Sequence, residues 1–188
     1  MMDIHPLTVE RWGDFERLFG PNGACGGCWC MWWRVSAKEF EAGSDVNRER
    51  MRALVAERPT GVLAYDDDGV PVGWCSVGPR GEFGRIERSR DLAAPVDDGV
   101  ALWGIVCFYI AAGRRGQGIG RALLDAAVEF AGANGADAVE GYAVDATRRK
   151  FSNAELYTGT VAMFEAAGFE RVRQAKPTSR IVMRRSVR

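Results

Sequence analysis

The clearest chemistry in this chain lies in one stretch, where Arg114, Arg115 and Arg121 surround Gly116, Gln117, Gly118 and Gly120. Glycine has no Cβ, so backbone N–H groups there can crowd around a ligand. The segment that follows places Ile119, Ala122, Leu123, Ala126, Ala127, Phe130 and Ala131 at the three- and four-residue spacing of one buried helical face. The glycines therefore fall at a helix N-terminus, whose first amides have no internal partner and suit a phosphate. No acidic residue occurs between Gly99 and Leu124. Each arginine at that positive pole costs roughly a few tenths of a kcal/mol until an anion reverses the sign.

The ligand class narrows by exclusion. A nucleotide triphosphatase loop needs Gly-Lys-Ser/Thr, but Arg121-Ala122 follows Gly120. The dinucleotide fingerprint G-x-G-x-x-G would need a glycine at Arg121.

Arg115-Gly116-Gln117-Gly118-Ile119-Gly120 matches R-x-x-G-x-G, and here the sequence resembles the GNAT superfamily of acyl-CoA-dependent N-acetyltransferases. The resemblance covers roughly residues 60–185. It implies acetyl-CoA as cosubstrate, with Arg115, Gly116, Gln117, Gly118, Gly120 and Arg121 around the coenzyme pyrophosphate. It also implies that the strand at 103–110 pairs with the pantetheine arm through Phe108 and Ile110, the latter five residues before Arg115 as in the family. An amide near 108–110 would polarise the thioester carbonyl. The implied reaction is direct transfer in a ternary complex to the primary amine of a small molecule, peptide or protein.

Two departures from the family pattern bear on catalysis. The frame 163–169 fits the helix that carries a general-acid tyrosine in many relatives, but the tyrosine position is Phe164, which leaves that ring as a wall of the coenzyme site with no proton to donate. Tyr142, Tyr157, Thr158 and Thr160 offer hydroxyls instead. Gly104 stands near the place where some relatives carry a glutamate base, which leaves Glu87, Asp97, Asp98 or Glu140, or an ordered water, to take the amine proton. Glu87, Asp98 and Tyr157 are the catalytic candidates. Cys107 is read as a structural cysteine. A non-catalytic acyl-CoA-binding module, sensory or structural, is the competing class.

The elements around this centre read as follows. A strand at 7–9 precedes a helix at 11–19 with Trp12, Phe15, Leu18 and Phe19 on one side. Residues 20–34 set Cys25, Cys28 and Cys30 among Trp29, Trp32 and Trp33. Zinc would need a fourth ligand, and the only histidine is His5, so no metal is expected. These aromatics either pack in the core or, as the resemblance implies, wall the acceptor site.

A charged helical segment at 38–57 leads to strands at 61–65 and 70–77, joined by the turn Asp66-Asp67-Asp68-Gly69. The polar stretch 78–99 is long for a connection and is expected to overhang the acceptor site. Asn134-Gly135 opens a strand at 138–143. The loop 144–157 carries Arg148-Arg149-Lys150, either solvated or reaching the coenzyme 3′-phosphate. A short helix at 161–167, capped by Thr158 or Thr160 and stopped by Gly168, precedes strands at 169–173 and 181–185. Alternating arginines in this last part read as solvent-facing.

The chain has 188 residues, enough for one domain burying about two-thirds of its surface. Its net charge is zero, so no global field draws it to nucleic acid or an anionic membrane. The longest apolar run, 100–112, falls short of the roughly 20 residues a bilayer span needs. Five cysteines argue against a disulfide framework, and the N-terminus has no signal pattern, so a reducing cytoplasm is expected. The sequence predicts one α/β domain with a GNAT-like, mixed but mostly antiparallel sheet of six to seven strands flanked by helices. Residues 1–58 form the helical acceptor-site part and 59–188 the acetyl-CoA part, and a homodimer is compatible with both.

Overall fold

A computed structural model describes residues 2–93, 95, 99–152, 154–177 and 180–187. Seven strands form one sheet: β1 (Asp3–Pro6), β2 (Gly61–Tyr65), β3 (Pro71–Pro79), β4 (Leu102–Ile110), β5 (Ala138–Ala143), β6 (Glu170–Arg173) and β7 (Ile181–Ser186). Their order is β1-β2-β3-β4-β5-β7-β6, and β4–β5 is the one parallel pairing between them. The helices are α1 (Trp12–Phe19), α2 (Ala37–Phe40), α3 (Ser44–Glu57), α4 (Gly84–Glu87), α5 (Ile119–Ala133) and α6 (Val161–Ala166). No helix among the described residues is long and apolar enough to cross a membrane.

The two faces of the sheet bury different layers. On one, α5 and α6 bring Ile119, Leu123, Leu124, Ala127 and Phe164 against Val62, Val72, Cys75, Ile105 and Val139. On the other, α1 and α3 bring Phe15, Phe19, Met51 and Val55, with Trp29, against Leu63 and Trp74. Helix α5 packs closely on β3 at Gly73, where a Cβ would lie 2.8 Å from Ile119 Cγ2 and 2.9 Å from Leu123 Cδ1.

Strand β4 contains the irregularity that shapes the centre. Opposite β3, Ser76 faces Cys107 but Val77 faces Ile105, so Val106 is an extra, bulged residue. Pairing with β5 stops there as well, its last pair being Ile105 with Gly141. Beyond the bulge β4 and β5 part, and residues 157–161 bridge the gap: Phe108 N–H donates to Tyr157 C=O (2.6 Å) and Val144 N–H to Gly159 C=O (2.9 Å).

Some expected boundaries move for tertiary reasons. The first strand lies at Asp3–Pro6, because these residues pair with β2, while Leu7 is fully buried and its N–H bonds Gly61 C=O. The charged segment splits into α2 and α3 at Gly43, whose φ is 112°. Ser36 and Glu39 form a capping box that starts α2. Within 78–99, residues 80–82 form a 3-10 turn followed by the single turn of α4. Asp66 supplies the hairpin turn as expected, its Oδ1 accepting the N–H groups of Asp68 and Val70.

Candidate active site

The glycine turn has the geometry of an anion cradle. Gly116 and Gly118 have φ of 77° and 79°, a region that disfavours side chains. Gly118 is the N-cap of α5, and the first intrahelical bond runs from Ala122 N–H to Gly118 C=O (3.1 Å). The amides of Ile119, Gly120 and Arg121 thus have no helical partner. The three arginines divide: Arg114 pairs with Asp66 (2.5 Å) and Arg121 with Asp125 (2.8 Å). Arg115 has no carboxylate partner among the described residues and faces a cavity. Gln117 folds back onto Gly113 C=O (3.3 Å).

That cavity, about 780 Å³, lies between the second half of β4, the 24–28 turn, Trp32 and Phe40, and residues 154–157. Phe108, Ile110 and Arg115 all line it. Ala111 N–H donates to Val72 C=O (3.0 Å), so ladder alternation turns the Phe108 and Ile110 amides toward the parted edge of β4. The Phe108 amide is already committed to Tyr157 C=O. Of the amides expected to polarise a carbonyl, the one at 108 is therefore spoken for, and 110 keeps the orientation.

The other expected residues scatter. Tyr157 lines the cavity and stacks on Trp33 with centroids 6.3 Å apart. Burial pushes its phenol up to about 12, against the opposing pull of Arg180. It holds its proton too tightly to give it readily to an alkyl thiolate of pKa about 8.5. Glu87 pairs with Arg80 (2.9 Å) and lies outside this cavity. Asp97 and Asp98 fall outside the described residues.

Phe164 is fully buried one layer behind Phe108 (centroids 6.3 Å), packed over Gly141, so it supports the wall without lining it. Glu140 is fully buried and bonded to Arg184 Nη2 (2.7 Å) and Tyr142 O–H (3.1 Å). Arg184 therefore serves a buried carboxylate instead of facing solvent. Arg148 and Arg149 line a second, more polar cavity that shares Tyr157 with the first. Thr160, not Thr158, caps α6, accepting from Met163 N–H (3.3 Å). Thr158 is buried and bonded by Arg180 Nε (3.0 Å).

The cysteine and tryptophan segment divides between the core and a cavity wall. Trp29, Cys30, Met31 and Trp33 are buried, while Cys25, Cys28 and Trp32 line the cavity. Cys107, expected to be structural, lines it too and is only half-buried. No group of three or more His, Cys, Asp or Glu among the described residues is placed to hold a metal ion. Cys28 is held down to about 7, chiefly by its contact with Cys30 and, against burial, by the amides of Trp32, Cys30 and Met31. Cys30 and Cys75 are pushed well up, mainly by burial. The spacing C-x-x-C-x-C was the only sequence signal for this wall, and it does not reveal that Cys107 completes it.

Comparison with known proteins gives the family and the fold. The sequence matches the acetyltransferase (GNAT) family over residues 29–169. The structure is similar to a GCN5-related N-acetyltransferase from Kribbella flavida at 20% identity, covering 98% of this chain and 97% of that one, TM-score 0.56. It is also similar to yncA from Salmonella typhimurium, solved with its cofactor acetyl-CoA, at 13% identity over 100% and 95% of the chains, TM-score 0.57. Arylalkylamine N-acetyltransferase 2 from Aedes aegypti aligns at 11% identity over 100% and 99% of the chains, TM-score 0.60. At these identities the likeness is one of fold. No curated protein matches the sequence.

Proposed function

Because this chain belongs to the acetyltransferase (GNAT) family, we propose that it is an N-acetyltransferase moving an acetyl group from acetyl-CoA to a primary amine. The observation that carries the assignment is the continuity of two features. Arg115, which leads into the glycine turn and the unpartnered amides at the start of α5, lines the same cavity as the parted end of β4.

The residues present suit coenzyme A. Left-handed glycines 116 and 118 bare the amides, and Arg115 supplies a cation not already spent on a carboxylate. Together they would hold the diphosphate. When bound, acetyl-CoA supplies an activated acyl thioester. Ile110 N–H, turned to the free edge of β4, is the amide best placed to stabilise a developing oxyanion. Holding both reactants against one strand contributes several kcal/mol through positioning alone, roughly 7 or more at best.

The acceptor side is built mostly from residues 1–58. Phe19, Trp32, Phe40, Tyr109 and Tyr157 all line the cavity, which supports an amine carried on an apolar or aromatic body. No carboxylate lines this cavity among the described residues. The acceptor therefore enters neutral, or loses its proton to water before attack. Calorimetry with acetyl-CoA, followed by thiol release against a panel of aromatic, aliphatic and peptide amines, tests the assignment. Binding with amine-dependent release supports it. Binding without release from any amine would favour a non-catalytic acyl-CoA module, and absence of binding would remove the coenzyme site altogether.

A further inference from the structure

The second cavity, also about 780 Å³, borders the first, since Ala154 and Tyr157 line both. Its ionic groups are matched but for one. Asp145 pairs with Arg148 (3.0 Å), Glu155 with Arg149 (2.7 Å) and Asp91 with Lys176 (3.6 Å). Arg180 lines the same cavity and has no carboxylate partner among the described residues.

The Arg180 guanidinium is held in place without such a partner. Its Nε donates to the hydroxyl of buried Thr158 (3.0 Å). Its Cζ lies 5.3 Å from the ring centroid of Tyr157 and 5.8 Å from that of Trp33. A guanidinium already fixed by aromatic faces gives up little freedom when it pairs. With Nε spent on Thr158, Nη1 and Nη2 remain as parallel donors, the fork that a carboxylate accepts end-on. Neither the anion cradle, which lies at Arg115 and the start of α5, nor an apolar acceptor wall accounts for this cation.

We propose that the acceptor is an amino carboxylate, an amine on an apolar body that also bears a carboxylate, and that Arg180 binds the carboxylate. The single unmatched charge selects a monoanion. A phosphate dianion would meet Asp91, Asp145 and Glu155 with only Arg180 left to offset it. Tyr157 belongs to both cavities, and its carbonyl accepts from Phe108 N–H at the parted end of β4 (2.6 Å). A molecule laid along Tyr157 therefore turns its amine toward β4 and its carboxylate toward Arg180. Arg180 does no chemistry on the thioester; it selects the acceptor and orients it.

The inference rests on the N-acetyltransferase assignment, and one experiment separates the two. Thiol release from acetyl-CoA by the full chain is measured with amines in matched pairs, acid against amide: para-(aminomethyl)benzoate, ε-aminocaproate and phenylalanine, each beside its carboxamide. The expected result is a kcat/KM that favours the acid by about 10- to 100-fold in at least one pair, the worth of a charge-assisted, two-pronged contact. That ratio should collapse in Arg180→Gln and return in part in Arg180→Lys, which keeps the charge without the fork. Turnover that ignores the anion, or favours the amide, in every pair overturns the inference and leaves the assignment standing. Acetyl-CoA bound in calorimetry with no member of the set acetylated overturns both. Should Arg180→Gln weaken acetyl-CoA while leaving the affinity for its 3′-dephospho form unchanged, the guanidinium belongs to the coenzyme ribose phosphate and the inference falls. The paired amines on the unaltered chain decide the matter even where a variant folds poorly.

Discussion

The Phe108 amide donates to the Tyr157 carbonyl at 2.6 Å, which ties the loop after β5 to the central strand by a bond that no side chain makes. The Tyr157 hydroxyl is dispensable to that bond, and burial holds its proton with a pKa of about 12. Tyr157→Phe should therefore keep turnover within about threefold, where loss of a working general acid costs about 100-fold or more. A steady-state kcat decides between them. Tyr157→Ala, which removes the stack on Trp33, should lower stability as well.

Gly118→Val should separate binding from folding. The position has φ of 79° and nothing within 4 Å of a built Cβ, so the penalty is backbone strain rather than a clash. A β-branched residue there costs about 1–3 kcal/mol and pulls the first amides of α5 out of line. Calorimetry should show acetyl-CoA affinity lost while the far-ultraviolet circular dichroism stays unchanged.

The Arg184–Glu140 pair predicts a stability effect remote from the cavity. Glu140 is fully buried, with Arg184 at 2.7 Å and Arg80 Nε at 3.6 Å. Arg184→Met should destabilise by about 3 kcal/mol, the low end for a broken buried pair because Arg80 stays close. Urea unfolding measures it.

Cys28 gives a pH signature. Its thiol is lowered from 9.0 to about 7, so the folded state favours the thiolate. That contribution to stability is complete above pH 9 and is lost as pH falls toward 7. Iodoacetamide labelling of Cys28 should rise with a midpoint near 7, and the stability gap between the native chain and Cys28→Ser should narrow across the same window.

Much of this architecture is written locally. Residues 102–110, 119–133 and 138–143 follow from an apolar run, a clean helical face and an Asn-Gly turn, each of which dictates its own conformation. The glycine turn is legible for the same reason, since its demand for bare amides selects glycine. The cysteine wall is not. Ala24, Trp29 and Cys30 take positive φ because Trp29 must fit over Gly23, a tertiary requirement that overrides propensity. Tyr157 reads as a hydroxyl donor, yet its structural part is played by a carbonyl, which every residue has. Glu140 resembles any strand carboxylate until Arg184 and Tyr142 close on it.

The 157–161 segment works as a shim between two diverging strands. At its middle sits Gly159, with φ of 86°, where a Cβ would stand 2.7 Å from Met163 Cε, 2.8 Å from Phe164 and 3.2 Å from Phe108. The thickness of that shim is thus the thickness of bare backbone. It sets the spacing of the two strands as a fixed dimension, and any side chain added at 159 would have to force them apart.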